Sequence, residues 1–67
     1  MKDGITEGSV VLIKAFDDIP QHRFWVTDVC EDCVGGYSLE GPLEGAYGEP
    51  DYDLIIAVLG HQASFRD

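Results

Sequence analysis

The residues of this chain best suited to chemistry sit close together. Cys30-Glu31-Asp32-Cys33 is a C-x-x-C, and His22-Arg23-Phe24-Trp25 lies just before it. Two thiols at that spacing can hold a soft metal or cycle through a disulfide. Structural zinc needs four ligands, usually a second such pair or two histidines. His22 and His61 are the two histidines, and their spacing from Cys30 and Cys33 matches no standard zinc module. A redox pair needs a helix N-terminus or a cation to lower a thiol pKa. Glu31 and Asp32 between the thiols act the other way. Structural thiols are therefore the first expectation. Cys30 and Cys33 stay as candidates for a metal or redox role, and no cofactor is expected.

No catalytic constellation stands out. There is no G-x-S-x-G, no Cys-His pair at a recognised spacing and no phosphate-cradling glycine loop before a helix. Carboxylate pairs are plentiful because the chain has 13 acids, so pairs alone carry no information. A non-enzymatic protein is expected. The alternative is small-molecule binding or catalysis at a pocket formed between subunits. Such a pocket needs apolar walls and a few convergent polar groups.

Binding chemistry is better represented. Arg23 stands beside Phe24 and Trp25, and a guanidinium over an aromatic face is worth about 0.5–1 kcal/mol when exposed. Trp and Arg are also enriched where interfaces concentrate their energy. Trp25 suits the core or an interface equally. With Tyr37, Tyr47, Tyr52 and Arg23 it completes the set expected to make contacts.

The charge balance narrows the partner. Net charge is −9, with Lys2, Lys14, Arg23 and Arg66 the whole basic complement. Nucleic-acid binding draws most of its affinity from Lys and Arg on phosphates, so it is excluded, and an anionic membrane surface with it. Such acidity serves solubility or a site for a basic peptide or cationic small molecule. No run approaches the roughly 20 apolar residues of a membrane span. Met1-Lys2-Asp3-Gly4 has no apolar run behind it, so no secretory signal is expected. Reduced thiols in the cytoplasm are the default.

These residues need elements to hold them. At 67 residues the chain is one domain, of a size that buries only roughly 60% of its unfolded surface. Small domains often add a disulfide, a metal or a second copy, so homo-oligomerisation is expected. Residues 1–8 are polar and read as a flexible leader. Ser9 to Phe16 is rich in β-branched residues and reads as a strand, central or covered on both sides because both its faces are apolar. Asp17 to His22 is a turn or loop around Pro20. Arg23 to Val29 is a second strand, with a bulge near Thr27-Asp28 that turns both Val26 and Val29 inward. Cys30 to Cys33 is the hairpin turn. A third strand follows, with Gly35-Gly36 a second bulge or bend, and Gly41-Pro42 ends it. Residues 43–50 hold a short edge strand, and Asp51-Tyr52-Asp53 is one helical turn. Leu54 to Leu59 is a last strand buried on both faces, ended by Gly60. Residues 60–67 are a polar tail.

Short strands at close intervals with Gly and Pro between them mark an all-β barrel or sandwich. The order resembles a small five-stranded SH3-like barrel with one short helical turn before the last strand, over residues 9–59. Ala46-Tyr47-Gly48-Glu49-Pro50-Asp51-Tyr52-Asp53 resembles the Ala-Leu-Tyr-Asp-Tyr stretch of SH3 domains, which implies stacking on a proline-rich peptide with acids meeting its Arg. In that family the stretch comes first, whereas here a single strand follows it. Type II dihydrofolate reductases are SH3-like barrels of similar size that build one site from the chains of a tetramer. Their Val-Gln-Ile-Tyr strand corresponds best to Asp53-Leu54-Ile55-Ile56, which has neither Gln nor Tyr, and the net charge repels folate. What carries over is the tendency of such barrels to oligomerise. The chain is also similar to small orphan proteins encoded on mobile bacterial gene cassettes. That resemblance rests on size, acidity and the His22-Arg23-Phe24-Trp25-Val26 and Leu39-Glu40-Gly41-Pro42-Leu43 stretches, and it implies no activity.

Overall fold

A computed structural model of the chain describes residues 4–65. The first three residues of the expected leader and the last two of the expected tail lie outside that range. The strands are β1 (Ser9–Ile13), β2 (His22–Val29), β3 (Val34–Ser38), β4 (Tyr47–Gly48) and β5 (Ile55–His61). One turn of 3₁₀ helix, Tyr52–Leu54, precedes β5. The strands form a single antiparallel sheet in the order β4-β3-β2-β1-β5. The architecture is the expected all-β one, with the helical turn in the expected place. No ladder joins β4 to β5 among the described residues, so the SH3-like barrel is open on that side.

β1 is central, flanked by β2 and β5, and is covered on both faces as its two-sided apolar pattern requires. Its inward residues Val11 and Ile13 join Ile5, Phe24, Val26, Val34 and Ile55 in the core. Full burial of side chains this size stabilises by about 1.5–3 kcal/mol each. Ile5 comes from the segment read as a leader, and that segment is bonded to the sheet. Gly8 donates its N–H to the Val26 carbonyl at 2.7 Å, and its own carbonyl accepts from Gln62 N–H at 2.8 Å. Gly8 has φ +95 and lies under the His61 ring, so both its backbone angle and the space above it demand glycine.

The bend comes from bulges. β2 and β3 shift register between Val26 and Asp28, which leaves Thr27 as the extra residue where a bulge was expected. Two more shifts on β5 leave Ile56 and Leu59 without partners on β1. The turn at Cys30 to Cys33 is closed by a bond from Cys30 N–H to the Cys33 carbonyl at 2.9 Å.

Four expectations need correction. Val29 is exposed, because the β1–β2 ladder stops at Trp25 and the far end of β2 is paired with β3 alone. β5 is not buried on both faces: it is an edge strand, and Ile56, Val58 and Leu59 are exposed. Nor does it end at Gly60, since Gly60 pairs with Val10 and His61 with Ser9. Gly35-Gly36 is no bulge, and the register shift lies on the β2 side. What the pair provides is a close approach of backbone: a Cβ at Gly36 would collide with the Trp25 carbonyl.

Candidate functional site

β2 divides its side chains between two faces. His22, Phe24 and Val26 point into the core, while Arg23, Trp25 and Thr27 face outward. The register places Trp25 opposite Tyr37 of β3, and Tyr37 opposite Tyr47 of β4. Three of the expected contact residues therefore form one row across three strands. The Tyr37 and Tyr47 ring centres are 5.5 Å apart at 71°, an edge-to-face pair. The chain after β5 folds back over this row. Trp25 donates its indole N–H to the Gln62 carbonyl at 3.1 Å. Phe65 stands 6.3 Å from both Trp25 and Tyr37, and with them and Gly45 it lines a cleft of about 260 Å³.

The other two expected contact residues lie apart. Arg23 shares the outer face but spends its guanidinium on Glu40 at 3.2 Å, and Glu40 also accepts from the Arg23 backbone N–H at 3.0 Å. Those two bonds hold the Glu40 carboxyl below its ordinary range. Tyr52 belongs to the 3₁₀ turn and packs on the core. Its hydroxyl donates to the Cys30 carbonyl at 2.5 Å, which ties the hairpin tip down.

The thiols and histidines do not converge. Cys30 and Cys33 flank the hairpin turn as free thiols. The Cys33 thiol is pushed up from its usual value, first by partial removal from water and then by Cys30, Glu49 and Asp51. The acids that matter come from the chain around β4, not from within the C-x-x-C. His61 bonds the Glu7 carbonyl at 3.1 Å. Among the described residues no group of three or more His, Cys, Asp or Glu could hold a metal ion.

His22 is buried with Ser38 beneath a second cleft of about 260 Å³, walled by Ile13, Phe16, Leu43, Pro50 and Leu54. Its Nδ1 is 2.9 Å from the Pro20 carbonyl. A carbonyl only accepts, so Nδ1 carries the proton. Nε2 then accepts from the Ser38 hydroxyl at 3.2 Å. The pair satisfies itself, and the cleft above it has largely apolar walls inside one chain.

Sequence reasoning missed Phe65 and the His22–Ser38 pair. Alternation from Phe24 and Val26 places His22 on the core face, so that half was readable. Phe65 stands alone in a polar stretch and gives no periodic signal. No family model matches the chain, and no curated protein or solved structure matches it significantly. No helix among the described residues is long and apolar enough to cross a membrane.

Proposed function

We propose that this domain works without catalysing a reaction, by associating with a second copy of itself through β5. One observation carries the reading: β5 is an edge strand, and Ile56, Val58 and Leu59 are exposed along it. Long apolar edges are normally blunted with charge or proline because they invite pairing. Here Leu54 to Phe65 contains no Asp, Glu, Lys, Arg or Pro, in a chain of net charge −9. β5 is thus the surface on which two copies meet without bringing acids together. A two-fold contact would match each β5 with its equivalent, as closed dimers require. Stable interfaces bury about 800 Å² per partner, and a seven-residue edge offers less. Affinity in the micromolar range follows.

Sedimentation velocity across micromolar concentrations tests this. The expected result is a concentration-dependent dimer that Leu59→Lys converts to monomer with an unchanged circular dichroism spectrum. That substitution lowers the net negative charge, so its effect cannot be added repulsion between acidic chains. A wild-type chain that stays monomeric throughout the range sinks the reading.

A further inference from the structure

Trp25, Tyr37 and Phe65 form a nearly equilateral triangle, with ring centres 6.5, 6.3 and 6.3 Å apart. Trp25 and Tyr37, tilted by 32°, make a floor, and Phe65 stands against them at 66° and 82° as a wall. A point about 3 Å above the plane of the three centres lies about 5 Å from each, inside the roughly 6 Å over which a ring face attracts a cation. Gly45 also lines the cleft, and a Cβ there would meet none of the described residues within 4 Å. The indole N–H is tied to the Gln62 carbonyl, which restrains the Trp25 ring.

We infer that this cleft is a binding site for a quaternary ammonium group, held by cation–π attraction to Trp25, Tyr37 and Phe65. Three features select that chemistry. The negative ring faces and the acidity of the chain favour a cation over a neutral apolar group. Among the described residues the lining holds no carboxylate, so an N–H-bearing ammonium, which is strongly hydrated, would lose water without gaining an ionic partner there. A volume of about 260 Å³ suits a headgroup and falls below the range of drug-sized pockets. Close by, Glu49 accepts from the Tyr47 hydroxyl at 3.1 Å and adds negative potential beside Tyr37. The site is separate from β5 and does not depend on self-association.

The only tryptophan of the chain is in the triangle, so its fluorescence reports occupancy directly. The full chain is titrated with tetramethylammonium chloride against a sodium chloride control, and with neutral 3,3-dimethylbutan-1-ol. The cation is expected to give a saturable change, and the alcohol to bind at least about 10-fold more weakly. Phe65 is outside the buried core cluster, so Phe65→Leu should fold as judged by circular dichroism. It keeps apolar bulk but removes the π face, and should weaken the cation at least about 5-fold. The inference is overturned by no saturable response to tetramethylammonium, by equal binding of the alcohol, or by a Phe65→Leu variant that binds as the wild type. Choline and a short peptide carrying trimethyllysine then separate the sources. Tighter binding of either supports the site and says whether a free headgroup or a modified protein is its natural occupant.

Discussion

The two neighbouring glycines of β3 answer to different surroundings. A Cβ at Gly36 would run into the Trp25 carbonyl, which is backbone and held by the ladder. At Gly35 it would come within 2.5 Å of the Tyr47 hydroxyl, the far end of a side chain that can swing away. Gly36→Ala is therefore expected to destabilise by about 1–3 kcal/mol or more, since an overfilled site must move backbone. Gly35→Ala is expected to cost well under half of that while displacing Tyr47. Urea unfolding of both variants measures the difference, and equal losses would refute the distinction. Sequence showed that a glycine pair in a strand marks something, but not which: the Trp25 carbonyl belongs to another strand, and only the β2–β3 register brings it there. The same register makes Trp25, Tyr37 and Tyr47 a row. Their types were informative at once, whereas their adjacency depends on the Thr27 bulge, and the third ring of the triangle depends on where the chain goes after β5.

At the scale of elements, the hydroxyl of Tyr52 links the 3₁₀ turn to the tip of the β2–β3 hairpin. Partial removal from water and the nearby Cys30, Cys33 and Asp32 push the Tyr52 phenol above its ordinary 10.0. The Tyr47 phenol is raised likewise, by partial removal from water and by its bond to Glu49. The folded chain thus holds these protons more tightly than the unfolded chain. Their contribution to stability is complete below pH 10 and is lost as pH rises through the raised folded values. Thermal melts should fall more steeply above pH 10 for wild type than for a Tyr47→Phe/Tyr52→Phe variant, which has no phenol at either position to ionise. Parallel curves would count against the assignment. Strand existence was legible throughout, because β-branched runs punctuated by Gly and Pro have few other solutions. Exposure of β5 was not. Its run is as apolar as that of β1, and its edge position follows from long-range pairing, on which the local pattern is silent.

For the whole molecule, opposing forces act on association. Acids outnumber basic residues 13 to 4, so two copies repel at long range. The proposed β5 contact is uncharged and short-ranged, so salt leaves it intact while it screens the repulsion. At about 0.1 M ionic strength the screening length is about 10 Å, comparable with the 10.4 Å radius of gyration of this chain, whereas at 0.01 M it is about 30 Å. Self-association should therefore tighten several-fold between about 20 and 300 mM sodium chloride, measured by sedimentation equilibrium at fixed pH. An interface built on ion pairs, such as one recruiting Arg23 away from Glu40, would weaken over the same range. The sign of the salt dependence thus separates two kinds of surface: tightening is the result expected of an uncharged contact such as β5, and weakening is the result expected of an ion-paired contact on the outer face around Arg23.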